Sequence, residues 1–157
     1  MCFLGVDIGG TSVRSLVTDA GGKILGYQRI ARVSHESLWQ AINDCLGTVL
    51  AQSSVVHVEA AVVGAAGAGP TGNHDVCQSV EKAFRAVGLD VTPQVVTDIE
   101  IAYWSAAVLG DGSILVAGTG AIAGRFSEWR CVDRRDGAGW LLGDHGSGYW
   151  IGRKALR

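Results

Sequence analysis

The sequence has no cluster of basic residues and no long apolar run. Its formal net charge is -2, and without a Lys/Arg run it has no electrostatic footprint for nucleic acid or an anionic membrane. No apolar stretch approaches the roughly 20 residues that span a bilayer. The few apolar residues before Asp7 are too short a run for the core of a signal peptide. We therefore expect neither nucleic acid nor a membrane as a partner.

The cysteines form no motif either. Cys2, Cys45, Cys77 and Cys131 are scattered, with no C-x-x-C pair and no histidine at ligand spacing. This usage is typical of buried or incidental thiols in a reducing compartment. We expect a cytoplasmic protein without a cysteine-bound metal.

Glycine, by contrast, is abundant. The chain has 23 glycines in 157 residues, more than the usual share of about 7%, and they cluster in short turns. With 48% hydrophobic residues the chain can also bury a core. The composition therefore predicts tight turns beside apolar strands.

The order of patterns predicts an α/β fold. Apolar alternation and glycine turns predict three opening strands in an antiparallel meander, at residues 3–8, 12–18 and 23–31. A helix, a strand, a helix, a strand at residues 94–97 and a helix to about residue 109 follow, and strands linked by helices pair in parallel. Residues 1–112 are therefore predicted to form one lobe with a mixed five-stranded sheet, ending at the tight turn 110–112.

The second half begins as the first did. "GVDIGGTSVRSLV" and "LVAGTGAIAGRFS" share an order of strand, glycine-threonine turn and strand. A third strand and the segment "GAGWLLGDHGSGYWIG" follow. Residues 113–157 are predicted to be the start of a second, similar lobe that is incomplete in this chain.

The stretch "ILVAGTGAIAG" has the Gly-x-Gly-x-x-Ala spacing of a dinucleotide-binding turn, at Gly118, Gly120 and Ala123. That motif requires a helix directly after the glycines, whereas the alternating residues here predict a strand. A second match, at residues 67–72, has no acidic residue at the end of a strand about 20 residues later. Neither match is followed by Gly-Lys-Ser/Thr, so neither is a P-loop.

The two glycine-threonine turns are candidates for phosphate binding, because glycine allows close approach and successive amides form an anion-binding concavity. Their residues are Gly9, Gly10 and Thr11 in the first turn, and Gly118, Thr119 and Gly120 in the second. Asp7, near the end of the preceding strand, is placed to hold Mg²⁺ through water. An ordinary hairpin turn is the alternative at either position.

Two further aspartates, Asp98 and Asp144, are candidate ligand-binding residues. Asp98 lies at the carboxyl end of a predicted strand, where open α/β sheets bind ligands, although the helix dipole alone also favours Asp there. Asp144, in "LLGDHGSGYW", is a ligand candidate or a helix N-cap. His35 and His145 are candidates either for ligands or for exposed loop histidines. Trp140 is a candidate for stacking on the face of a sugar ring.

Together, "VDIGGTSVRSLVTDAGGKILG", "VVTDIEIAYWSA", "ILVAGTGAIAGR" and "GWLLGDHGSGYWIGRKAL" resemble the N-acetylglucosamine kinase group of the BadF/BadG/BcrA/BcrD ATPase family. That family belongs to the actin-like ATPase superfamily. The resemblance implies two ribonuclease-H-like lobes that enclose ATP and a sugar, of which this chain supplies the first and the beginning of the second.

The resemblance also implies residue roles. The two turns are similar to the two phosphate loops of the family, Asp98 to its catalytic base, and Asp144 to a sugar-hydroxyl ligand. Ser34 and His35 fall where a family member presents an Asn to the sugar, and that Asn is absent here. Trp140 is displaced by a few residues from the tryptophan that the family places near the sugar.

The function implied is phosphoryl transfer from MgATP to a hydroxyl of an amino sugar or related hexose. ATP, Mg²⁺ and the sugar are the expected ligands, with a homodimer as the candidate assembly. A non-catalytic nucleotide- or sugar-binding module is the alternative. Activators of the same family carry an iron–sulfur cluster, for which the scattered cysteines offer no site. Because family members are longer, we expect little or no kinase activity from these 157 residues alone.

Overall fold

The computed structural model describes residues 1–32, 37–66, 68 and 74–156. It divides into two compact units, Met1–Asp98 and Ile99–Arg157. The strands are β1 (Cys2–Ile8), β2 (Ser12–Asp19), β3 (Ile24–Ala31), β4 (Ala60–Ala65), β5 (Gln94–Thr97), β6 (Gly112–Ala117), β7 (Ala121–Ser127) and β8 (Arg130–Asp136). The helices are α1 (Leu38–Ser53), α2 (His74–Ala86), α3 (Asp98–Ala106), α4 (Gly139–Leu142) and α5 (Gly148–Ala155).

The first unit contains the predicted mixed sheet of five strands, in the order β3-β2-β1-β4-β5. β2 pairs antiparallel with β1 and β3, and β4 pairs parallel with β1 and β5. In this register Ile8 pairs with Ala65, and Ala65 pairs with Thr97. The carboxyl ends of the three parallel strands therefore meet at one edge of the sheet.

Helices α1 and α2 bury apolar stripes that belong to the same core as the inward residues of the sheet. α1 approaches β3 so closely that a Cβ added to Gly26 would lie 2.9 Å from the backbone oxygen of Val49. Cys45 is fully buried, and this burial raises the pKa of its thiol. The core includes Leu4, Val6, Ile8, Val13, Val17, Ala41, Ile42, Cys45, Leu46, Val49, Val63, Val80, Ala83 and Phe84.

The second unit contains an antiparallel sheet in the order β6-β7-β8. Its buried cluster consists of Ile99 and Tyr103 from α3 and Phe126 from β7. The rings of Tyr103 and Phe126 stack, with centroids 3.9 Å apart. α3 thus packs against the second sheet, which is why the compact units divide after Asp98. The predicted lobe limits, 1–112 and 113–157, stay a prediction.

Among the described residues, no helix is both long and apolar enough to cross a membrane.

Candidate functional site

Asp98 and the first glycine turn lie at the same edge of the first sheet. Asp98 directly follows β5 and is exposed as the first residue of α3, and Gly9 directly follows β1. One strand, β4, separates β1 from β5. Because neighbouring strands are about 4.8 Å apart, the two strand ends are about 10 Å apart. An acidic side chain and a glycine turn therefore share one edge of the first sheet.

The first turn is closed by backbone and side-chain hydrogen bonds. The amide of Gly9 donates to the Ser12 oxygen at 2.9 Å. Arg32, just after β3, donates from its amide to the Thr11 oxygen at 2.9 Å and from Nη1 to the Gly9 oxygen at 3.2 Å. A Cβ added to Gly10 would meet no atom within 4 Å. The turn is held from one side and is open beside Gly10.

Asp7 lies on β1 opposite Arg14 of β2. Its Oδ2 accepts from Arg14 Nη1 at 3.1 Å, and both side chains are partly exposed. Over the part of the chain that the structure describes, no three His, Cys, Asp or Glu side chains are grouped to hold a metal ion. Mg²⁺ commonly binds through one or two carboxylates, waters and substrate phosphates. A single, partly exposed carboxylate beside a candidate phosphate-binding turn fits that mode.

The second turn joins β6 to β7. Gly118 donates from its amide to the Gly120 oxygen at 2.8 Å, and the Gly118 oxygen accepts from the amide of Gly148 at 2.8 Å. Thr119 is exposed, and a Cβ on Gly118 would meet nothing within 4 Å. A strand follows this turn, which confirms that it lacks the helix a dinucleotide fold requires.

Asp144 lies against this second turn. Its Oδ1 accepts from the amide of Ala121 at 3.2 Å, and a Cβ on Gly120 would come within 3.1 Å of its carboxylate. The N-cap of α5 is Ser147, whose Oγ accepts from the amide of Trp150 at 3.1 Å. The alternative that Asp144 caps this helix is therefore wrong.

Sequence reasoning missed Asp136, the last residue of β8. Its carboxylate accepts hydrogen bonds from the amides of Asp144 and His145, the latter at 2.8 Å, and lies 3.5 Å from His145 Nδ1. Desolvation alone would raise the pKa of Asp136, but these amides and the imidazole lower it below its ordinary value. The only sequence signal was an Asp-Gly pair, which is typical of any turn.

Of the remaining predicted site residues, the structure describes Trp140 but not Ser34 or His35. Trp140, in α4, is 57% exposed and lines a cleft of about 210 Å³ together with His145, Trp150 and Arg153. Its ring centroid lies 5.7 Å from that of Tyr149. Ser34 and His35 lie outside the described residues, as does most of the glycine-rich match at 67–72.

The fold and its two strand–glycine turn–strand motifs define the class: an α/β protein with the fold of actin-like ATPases. The BadF/BadG/BcrA/BcrD ATPase family matches residues 4–157, and the chain belongs to that family. The chain is also 30% identical, over 162 residues, to an N-acetylmuramic acid/N-acetylglucosamine kinase of Clostridium acetobutylicum, with 98% of the chain and 52% of that protein covered.

Solved structures agree on the fold. A proposed N-acetylglucosamine kinase from Porphyromonas gingivalis superimposes with a TM-score of 0.78 at 21% identity, covering 98% of this chain and 54% of the other. A ROK family glucokinase from Streptomyces griseus, in complex with glucose and AMPPNP, gives a TM-score of 0.59 at 25% identity, covering 93% and 50%. The chain spans about half the length of these relatives.

Proposed function

We propose that this protein is an ATP-dependent carbohydrate kinase that phosphorylates a hydroxyl of an amino sugar of the N-acetylglucosamine or glucosamine type, or of a related hexose. The observation that carries this proposal is the shared sheet edge, where Asp98 and the first glycine turn follow parallel strands of one sheet. The kinase named among the relatives supports the choice of reaction.

Phosphate binding is assigned to the two glycine turns. The open space beside Gly10 and Gly118 admits a phosphate close to the backbone. The exposed hydroxyls of Thr11 and Thr119 add donors. Asp7 would hold Mg²⁺ through water, and the ion supplies positive charge that offsets the charge on the phosphates.

Sugar binding is assigned to Asp144, Trp140 and the segment of Ser34 and His35. A carboxylate accepts hydrogen bonds from sugar hydroxyls, and the exposed face of Trp140 offers an apolar surface to a sugar ring. The Asn that a family member presents to the sugar is absent here, where the chain has Ser34 and His35, and the panel of sugars described below identifies the preferred sugar.

Asp98 is assigned as the general base. In the proposed step the sugar oxygen attacks the γ-phosphorus while the bond to the bridging oxygen of ADP breaks. Asp98 accepts the proton of the attacking hydroxyl, and ADP leaves with the bridging oxygen. Phosphoryl transfer depends mostly on how the reacting groups are positioned. Asp98 directly follows β5, which suits it to this role.

The test is a panel of sugars incubated with MgATP and the full-length gene product. The proposal predicts stoichiometric ADP and sugar phosphate with one or more amino sugars, measured by mass spectrometry. The 157-residue chain alone, for which we expect little or no turnover, is assayed in parallel. Sugar or nucleotide binding without either product would favour the non-catalytic module. ATP hydrolysis that is independent of every sugar would favour an activator-type ATPase.

A further inference from the structure

Asp136 is the last residue of β8 and precedes Asp144 by eight residues. Its two carboxylate oxygens accept hydrogen bonds from two different residues of the following loop. Oδ1 accepts from the amide of Asp144 and Oδ2 from the amide of His145. Protonated His145 would add an ion pair through Nδ1. A carboxylate that accepts two amides fixes the backbone on both sides of Asp144 more firmly than one neutral hydrogen bond does.

The same loop is attached to the second glycine turn at its other side. Asp144 Oδ1 accepts from the amide of Ala121, and the amide of Gly148 donates to the Gly118 oxygen at 2.8 Å. The hydrogen bonds therefore form a continuous path from Asp136 through Asp144 to the turn.

This loop needs such an attachment because its backbone is unusual. Asp136 and Asp144 have φ of 63° and 58°, and Gly137, Gly139 and Gly146 are also in the left-handed region. Non-glycine residues avoid that region unless the surroundings hold them there. The Asp136 carboxylate is the charged acceptor that the structure supplies for this purpose.

We propose that Asp136 is a positioning residue that holds Asp144 and the second glycine turn in one arrangement, and thereby couples sugar affinity to nucleotide affinity. The inference rests on the proposed function, because it uses the sugar role of Asp144 and the phosphate role of the turn. By thermodynamic linkage, a sugar that orders Asp144 strengthens nucleotide binding, and the nucleotide strengthens sugar binding by the same factor.

The experiment compares Asp136→Ala and Asp136→Asn with Asp133→Ala in the full-length gene product. Asp133 is a matched control because it lies on the same strand and pairs with Arg135 at 3.3 Å. The measurements are the sugar KM and kcat, and the Kd of AMPPNP with and without sugar, all well below the Tm of each variant. If Asp136 only stabilised the fold, its substitution would lower the Tm and leave the sugar KM, the kcat and the Kd of AMPPNP unchanged.

For Asp136→Ala we expect a sugar KM raised about tenfold, from loss of charge-assisted hydrogen bonds. The effect of sugar on AMPPNP affinity should also disappear. Asp136→Asn keeps one acceptor oxygen but presents an amide group to the second donor. Its sugar KM and its effect of sugar on AMPPNP affinity should therefore lie between those of the wild type and Asp136→Ala. It also serves if the alanine variant does not fold. An unchanged sugar KM and unchanged coupling in both variants would overturn the proposal.

Amide hydrogen exchange at Ala121 separates this inference from the proposed function. The Ala121 amide donates to Asp144, so it reports the attachment whether or not the protein phosphorylates sugars. Faster exchange in Asp136→Ala than in Asp133→Ala supports the positioning role, even if no sugar in the panel is phosphorylated. Equal exchange in the two variants contradicts it.

Discussion

The two glycine-threonine turns have the same order of strand, turn and strand, but different residues hold them. Arg32, which follows the third strand of the meander, supports the first turn through hydrogen bonds to Gly9 and Thr11. The second turn is supported from further along the chain, by the loop of Asp144 and the start of α5. Two turns of similar sequence are thus held in place by different residues.

The sheets behind the turns differ as well. The first turn extends from a sheet whose core includes apolar residues of two helices, whereas the second extends from a sheet with a buried cluster of Ile99, Tyr103 and Phe126. Leu115, on the strand that leads into the second turn, is 74% exposed. Among the described residues, fewer buried side chains thus lie behind the second turn than behind the first.

The largest expected effect is from Phe126→Ala, which removes the ring stacked on Tyr103. We expect a loss of about 3–5 kcal/mol in the free energy of unfolding of the second unit. Tryptophan fluorescence during urea unfolding measures it, because most tryptophans lie in that unit. Val132→Ala, at a half-exposed position of β8 in the same unit, is the control and should cost much less. Equal losses would contradict the comparison.

The next effect is from Gly120→Ala, whose Cβ would press on the Asp144 carboxylate at about 3.1 Å. Because small displacements of positioning groups are costly in catalysis, we expect kcat/KM for the sugar to fall about ten- to hundredfold. Gly152→Ala is the matched control, since its Cβ meets no atom within 4 Å and Gly152 lies outside the two glycine turns. A Gly152→Ala variant with an equal or larger fall in kcat/KM would show that contact with Asp144 is not what makes Gly120 sensitive.

The smallest effect is expected at the first turn, from Arg32→Ala. This variant keeps the backbone bond to Thr11 and loses the side-chain bond to Gly9, worth about 1 kcal/mol. Titration with AMPPNP should show nucleotide affinity weakened severalfold, with sugar affinity unchanged. Arg29→Ala, at an exposed position of β3, is the control. Sugar affinity that falls in parallel would argue against separate support of the two turns.

Most of the fold could be predicted because its signals are local. Alternating apolar residues and glycine turns predicted the strands, and β5 coincides with the predicted residues 94–97. The predicted third helix, expected to reach about residue 109, ends at Ala106. Which sheet α3 packs on depends on contacts such as Tyr103 with Phe126, which are distant in sequence and leave no local pattern.

The position of a candidate site residue was predictable from the sequence where that residue directly follows a strand. Asp98 and Gly9 do so, and the order of parallel strands brings them to one edge. Asp136 and Arg32 act through hydrogen bonds to backbone atoms in other segments. Such bonds depend on the path of the backbone, including left-handed residues such as Asp144, and a single sequence does not contain that path.

The central claim, phosphoryl transfer to a sugar with Asp98 as the base, is tested most directly by Asp98→Asn in the full-length gene product. Asparagine keeps the size of the side chain but cannot accept the proton, so kcat should fall at least about 100-fold. The Kd of AMPPNP should stay close to that of the wild type, and Asp90→Asn, in the exposed loop before β5, should keep full activity. Near-normal turnover by Asp98→Asn would contradict the account.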